Sequence, residues 1–155
     1  PIFLSRFLFG AEPLRAAAWL DIDPEFGVDR YCAAALEYPF GACAFTCATQ
    51  LAPAQRVVVF GEKARIEVEI PFNAPNDRPC RLVIDDGSDL FGASRRIEEV
   101  EVCDQYTIQA DEFSRAVLGQ RSVPVPLEDS LRTMAVIEAV HAAAASGRKE
   151  PVAAV

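Results

Sequence analysis

Among 155 residues the chain carries one histidine, one tryptophan and two lysines. With His141 alone, a histidine-rich metal centre cannot form, and no Gly-x-Ser-x-Gly elbow offers a serine for a histidine-based triad. His141 lies among alanines, where a packing or surface role suits it. Lys63 and Lys149 sit in or beside turns, too well hydrated to act as tuned bases. The eight glycines never fall as Gly-x-Gly, which removes the dinucleotide-binding fingerprint. Gly87 and Gly92 have the spacing of a phosphate loop, but Ala93-Ser94 stands where Lys-Ser/Thr is required, so the segment is a turn. Fifteen basic residues against twenty-three acidic ones give a net charge of -8. That surface repels phosphate backbones and anionic lipid, so neither a nucleic-acid nor a membrane partner is expected. No apolar run is long enough to cross a bilayer. The opening stretch Pro1–Phe9 has no basic n-region and no small-residue cleavage site, unlike a signal peptide. It has the pattern of the back half of an amphipathic helix, and the chain is expected to be a fragment.

What is present is enough for a core. Hydrophobic residues make up 51% and charged residues 25%, which excludes intrinsic disorder, and the length suits one domain. The five cysteines (Cys32, Cys43, Cys47, Cys80, Cys103) are an odd set without Cys-x-x-Cys spacing, so reduced thiols in a cytoplasmic protein are expected. Cys43 and Cys47 share one face of a strand roughly 13 Å apart, too far to hold one metal. Cys32 is placed across a hairpin from Cys47. The cluster Asp21, Asp23, Glu25 and Asp29 has Phe26 where a calcium loop needs glycine, so it is a solvated acidic turn and no metal site is assigned.

Along the chain, Leu14–Ile22 is a half-buried stretch that ends in the acidic turn, and Tyr31–Tyr38 and Ala42–Gln50 are two small-residue strands around Pro39-Phe40-Gly41. Val57–Phe60 is a continuous apolar run of the kind a strand covered on both faces shows. In Ala64–Ile70, Ile66, Val68 and Ile70 alternate with Arg65, Glu67 and Glu69, giving one buried face and one wet or partner-facing face. Pro71–Pro79 is a loop. Cys80–Asp85 and Arg96–Val102 are further strands, the second with a bulge because its apolar positions slip out of phase. Helices follow: one with Asp111 and Glu112 in its first turn, ended by Gly119, and one opened by Pro126 and stopped at Ser146-Gly147. Glu128 and Arg132 are spaced for an i,i+4 pair. The fold class is therefore α+β, an open, largely antiparallel (mixed) sheet of about six or seven strands with helices packed on one face.

Three segments then point to a family. Tyr106–Val117 resembles a helix start in the C-terminal domain of the glucose–fructose oxidoreductase / inositol dehydrogenase (Gfo/Idh/MocA) family, and Pro126–Ile137 resembles that domain's last helix. Val59-Phe60-Gly61-Glu62-Lys63-Ala64-Arg65-Ile66, followed by Pro71-Phe72-Asn73, is similar to its strand–turn–strand unit. The order and spacing of these segments extend the resemblance over nearly the whole chain. It implies that residues 1–155 are a single C-terminal substrate and oligomerisation domain whose Rossmann domain lies elsewhere. The intact enzyme would use NAD or NADP to oxidise or reduce a sugar, polyol or related alcohol carbon. This chain alone would hold no cofactor and no catalytic residue, because the family's Glu-Lys-Pro lysine and Asp-x-x-x-His or Asp-x-x-x-Tyr pair have no counterpart here. The small-residue strands with Ala33, Ala35, Ala42 and Ala44 permit close sheet-on-sheet packing, so a homodimer through the sheet face is expected. Gln50, Arg56 and Asn73, near strand ends and the proline loop, are the candidate substrate-binding residues. Two other readings compete: a stand-alone α+β ligand-binding or dimerisation module, and a metal-dependent hydrolase using Asp21, Asp23 or Asp29.

Overall fold

The computed structural model describes residues 1–155. Its elements are α1 (Ile2–Phe9), β1 (Arg15–Ile22), β2 (Asp29–Tyr38), β3 (Gly41–Ala48), β4 (Val57–Phe60), β5 (Arg65–Val68), β6 (Cys80–Asp85), β7 (Arg95–Val100), α2 (Gln105–Val117), α3 (Leu127–Ser146) and β8 (Glu150–Pro151). The fold is α+β, as the sequence pattern indicates. Its eight strands form two four-stranded antiparallel sheets, in orders β3-β2-β1-β8 and β4-β5-β6-β7. Contacts divide the chain into two compact units, one of Pro1–Leu51 with Val125–Val155 and one of Ala52–Pro124.

In the first unit, alternation along the strands decides which residues are covered. Ala16 on β1, then Cys32, Ala34, Leu36 and Tyr38 on β2, turn one way and pack with Val136, Ala139 and Val140 of α3. Leu36 and Val136 are completely buried. The alanines of α3 let its backbone come close to the sheet, and Gly147 ends it in the left-handed conformation that favours glycine. The hairpin turn is Pro39-Phe40, since Tyr38 pairs with Gly41. Cys32 pairs with Cys47 across this hairpin, as the spacing indicates. A bulge occurs here, between Asp21 and Ile22 of β1.

Helix α1 is held by polar groups. Ser5 Oγ lies 2.8 Å from both Ile2 O and Tyr38 Oη. The Arg6 guanidinium, 4% exposed, is gripped by Glu12 at 2.6 and 2.7 Å, by Asp129 Oδ1 at 2.7 Å and by Thr133 Oγ1 at 2.7 Å. Phe9 stacks on Tyr38, ring centroids 4.0 Å apart. A Cβ on Gly41 would lie 2.8 Å from Phe9 Cε1. Gly41→Ala is therefore expected to push the ring off Tyr38 and cost about 1 kcal/mol, read from urea denaturation.

In the second unit charged side chains on and just after β5 are tied to their neighbours by Arg65–Asp85 at 2.7 Å, Arg81–Glu69 at 2.9 Å and Arg56–Glu67 at 3.1 Å. Asp85 is buried and accepts from Ser94 Oγ and Gly87 N, which pins the loop after β6. The Ser94 hydroxyl, the Gly87 N–H and the Arg65 guanidinium hold its carboxyl well below the usual range. An unfolded aspartate titrates near 3.9, so this contribution is complete above roughly pH 5 and is lost as pH falls below that value. Asp85→Asn should therefore lower stability at neutral pH and flatten the acid limb of a pH–denaturation profile.

Four local readings need correction. Val57–Phe60 is not covered on both faces: β4 is an edge strand, and Val58, Val59 and Phe60 are 37%, 37% and 77% exposed. No bulge interrupts β7, which pairs residue for residue with β6 from Arg95 to Val100. Its out-of-phase apolar residues occupy two faces that are each partly open. Helix α2 begins six residues before Asp111, because the Asp104 carboxylate accepts from the N–H groups of Tyr106 and Thr107 and caps it. Glu128 and Arg132 make no ion pair: it is Asp129 in that first turn that finds a partner, Arg6.

Candidate functional site

The side of the first sheet turned away from α3 is uncovered. Ala17, Ala35 and Ala44 stand directly opposite one another on β1, β2 and β3, and Trp19, Ala33 and Thr46 form the next row but one. These small side chains floor an open, shallow hollow of about 600 Å³. At its end Trp19, 62% exposed, meets Tyr31 edge-on with ring centroids 5.2 Å apart. A second hollow of about 330 Å³ lies there, lined by Trp19, Asp21, Arg30, Tyr31, Gln50 and Leu51 among others. Arg30 Nε donates to Asp21 Oδ2 at 2.6 Å, and that carboxylate raises the Arg30 pKa.

Of the sequence-predicted site residues, Gln50 belongs to this aromatic hollow in the first unit. Arg56 and Asn73 belong to the second unit. Arg56 is engaged by Glu67, and the Asn73 N–H donates to Gln55 Oε1 at 3.1 Å, beside Phe72 N at 2.9 Å. The sequence reading passed over Gln55, the group that clamps the Pro71–Asn73 turn beside Arg56. It also left Arg30 and Tyr31 unassigned. Their signal was the phase of β1 and β2: Trp19 and Tyr31 alternate with the buried Ala16 and Cys32, so they face the open side.

An aromatic edge, an amide and an exposed ion pair offer stacking and hydrogen bonds, while no nucleophile is joined to a base. Asp23 is occupied structurally, accepting from Glu25 and Phe26 N–H groups, and these bonds lower its pKa. No group of three His, Cys, Asp or Glu side chains is placed to hold a metal ion. His141 is exposed on α3. Every long strand pairing is antiparallel, so no βαβ turn sets a glycine loop against a helix N-terminus, and these residues do not fit a dinucleotide cradle.

The cysteines differ in environment. Cys32 is buried, and burial, with Cys47 beside it, pushes its thiol up to about 11; Cys47 and Cys103 are exposed. With iodoacetamide at pH 8, Cys47 and Cys103 should label roughly tenfold faster than Cys32, followed by peptide mass spectrometry.

Residues 2–153 match the family model described as the oxidoreductase family, C-terminal alpha/beta domain (GFO_IDH_MocA_C). The chain belongs to the Gfo/Idh/MocA oxidoreductase family. This Gfo/Idh/MocA domain is 41% identical over 153 residues to the uncharacterized oxidoreductase ORF334 of Rhizobium meliloti, a match covering 98% of the chain and 46% of that relative. Among solved structures it resembles an aldose-aldose oxidoreductase from Caulobacter crescentus complexed with glycerol, with a TM-score of 0.76, 23% identity, and coverage of 96% and 44% of the two chains. It also resembles KijD10, a 3-ketoreductase from Actinomadura kijaniata in complex with NADP and TDP-benzene, with a TM-score of 0.81, 20% identity, and coverage of 92% and 43%. These two likenesses establish the shared fold. The Gfo/Idh/MocA domain thus spans about half the length of the proteins it matches, and no helix in it is long and apolar enough to cross a membrane.

Proposed function

We propose that this domain is the substrate-side and oligomerisation part of an NAD(P)-dependent oxidoreductase, inert by itself, that acts on a sugar, polyol or related alcohol carbon. The observation that carries the reading is the uncovered alanine row with Trp19 and Tyr31 at its end. Sheets stack face to face about 10 Å apart, and rows of alanine let two such faces meet without voids. A second copy on this face gives a homodimer with an apolar centre and an aromatic anchor. Residues 1–155 serve in this reading as one domain, with Gln50, Arg56 and Asn73 as its substrate-lining groups. The dinucleotide is held by the part of the protein beyond this domain. A cytoplasmic setting suits five unpaired thiols. Structures that share the fold include an aldose-aldose oxidoreductase and a 3-ketoreductase in complex with NADP, which supports the substrate class and the cofactor.

The test is the solution mass of this chain, by sedimentation, together with calorimetric titration of NAD(H) and NADP(H). A dimer that binds neither dinucleotide is the expected result. A monomer that binds one of them tightly overturns the reading and puts the cofactor site within these residues.

A further inference from the structure

Two cysteines face each other across the β2–β3 hairpin. Cys32 and Cys47 are directly opposite in the register, and opposite residues point to the same face of a sheet. The Thr49 N–H donates to Arg30 O at 3.1 Å, which makes Arg30–Thr49 a hydrogen-bonded pair. Bonded and non-bonded pairs alternate along an antiparallel ladder. Cys32–Cys47, two residues on, is therefore a bonded pair too, with Cα atoms about 5.5 Å apart. That separation is the one most often found across disulfides. Burial, and then the Cys47 thiol beside it, push the Cys32 thiol up to about 11. The other cysteines have no such neighbour in the sheets: Cys43 is opposite Leu36 and Cys80 is opposite Val100, while Cys103 lies beyond β7.

Exposure is divided between the partners. Cys32 packs in the core with Ala34 and Leu36, whereas Cys47 is exposed, because α3 lies over β1 and not over the edge strand β3. The pair is on the helix side of the sheet, so a second copy on the alanine face leaves Cys47 open. Tyr31 and Ala48, the adjacent pair, line the aromatic hollow with Gln50 and Leu51. We propose that Cys32 and Cys47 are a reversible disulfide site, closed by a peroxide and opened by a dithiol, on the back of that hollow. The Cys47 thiolate attacks one peroxide oxygen, forming the S–O bond as the O–O bond breaks. The departing hydroxide takes the proton that the thiol lost and leaves as water. The Cys32 sulfur then attacks the Cys47 sulfur, forming the S–S bond as the S–O bond breaks, and its proton leaves in a second water. The two thiols lose two electrons and the peroxide gains them. Opposed Cβ atoms stand about 4.5–5.5 Å apart in a ladder but about 3.8 Å apart in a disulfide, so closure draws the end of β3 towards β2. As an edge strand, β3 is held on one side only and gives way. Gln50 and Leu51 move with it, so the state of the pair sets the width of the hollow.

The experiment exposes the chain to hydrogen peroxide at pH 8, then digests it with trypsin and a glutamate-specific protease for mass spectrometry. Cleavage after Arg30, Glu37 and Arg56 puts Cys32 on one peptide and Cys43 with Cys47 on another. A bond between those two peptides should form at least roughly tenfold faster than any bond to Cys80 or Cys103, since its partner is already in place. Dithiothreitol should restore both thiols. Cys47→Ser, at an exposed position, should abolish the bond. Cys32→Ser should instead send Cys47 on to the sulfinic acid, which dithiothreitol does not reverse. A bond that survives Cys47→Ser overturns the proposal, as do bonds to Cys80 or Cys103 that form equally fast. So does wild-type protein in which Cys47 reaches the sulfinic acid beside a free Cys32. Trp19, which lines the hollow, reports the coupling. Its emission should shift on oxidation, return on reduction and stay fixed in Cys47→Ser. An emission that ignores a formed bond rejects the effect on the hollow.

Discussion

Arg6→Met will cost the first unit about 3 kcal/mol, a fall of roughly 10 °C in melting temperature for a chain of this size. The guanidinium is 4% exposed and supplies donors to Glu12, Asp129 and Thr133 at once. Methionine fills much of the same volume but leaves the Glu12 and Asp129 carboxylates facing one another without a cation between them. Glu12 is 46% and Asp129 23% exposed, so water takes up part of the lost pairing and the cost sits at the low end of that for breaking a buried pair from one side. Arg6→Lys keeps the charge but not the fork, and should recover only part of the loss. The pH dependence gives a second check. The Arg6 guanidinium is the main cause that lowers the Asp129 pKa. A carboxyl depressed in the native state adds stability above its unfolded value near 3.9, and that stability is lost as pH falls through the native one. The wild-type advantage over Arg6→Met should therefore be full at pH 7 and shrink below about pH 4. An unchanged melting curve would mean that Ile2, Ser5 and Phe9 hold α1 without the Arg6 network.

Ala35→Arg should convert the proposed dimer into a monomer, weakening association by at least about 100-fold, or about 3 kcal/mol. Ala35 is exposed in the middle strand of the open face, flanked by Ala17 and Ala44. An arginine there adds bulk where sheets must approach closely and brings a charge into the apolar centre in both copies. The same side chain contributes nothing to the core, which lies on the other side of β2. The melting temperature of the dilute monomer should accordingly stay within about 2 °C of its starting value. Sedimentation reads the mass, and the emission of Trp19, the only tryptophan, should shift to the red as its surroundings become wet. A variant that remains dimeric places the interface elsewhere and returns Trp19 and the alanine rows to ordinary surface.

Element type was legible because it depends on neighbours in sequence. Alternation of Ile66 and Val68 with Arg65 and Glu67 marks β5, Pro39-Phe40-Gly41 marks the hairpin, and Gly10, Gly119 and Gly147 mark where helices stop, each with positive φ. The family resemblance was also legible, being a matter of order and spacing along the chain, and it agrees with the match over residues 2–153. The candidate site was legible only in part. Gln50 was named, but the hollow around it is assembled from β1 and β2, whose facing sides are set by pairing across the sheet. Asp104 was missed as a cap because its acceptance of two N–H groups matters only once the turn has formed.

The sequence by itself determined the type of most elements and the kin of this domain, since each follows from residue type, period and spacing. The tertiary structure decided what covers what. The apolar run Val57–Phe60 could be a central or an edge strand, and only its pairing with β5 alone makes it an edge. The strands could form one sheet or two, and local patterns do not encode the partner of an edge. Arg6, inside an apolar octet, gives no hint that it will be buried. Its acceptor Asp129 lies 123 residues away, and long-range pairing of charge becomes visible only when the chain has folded back on itself.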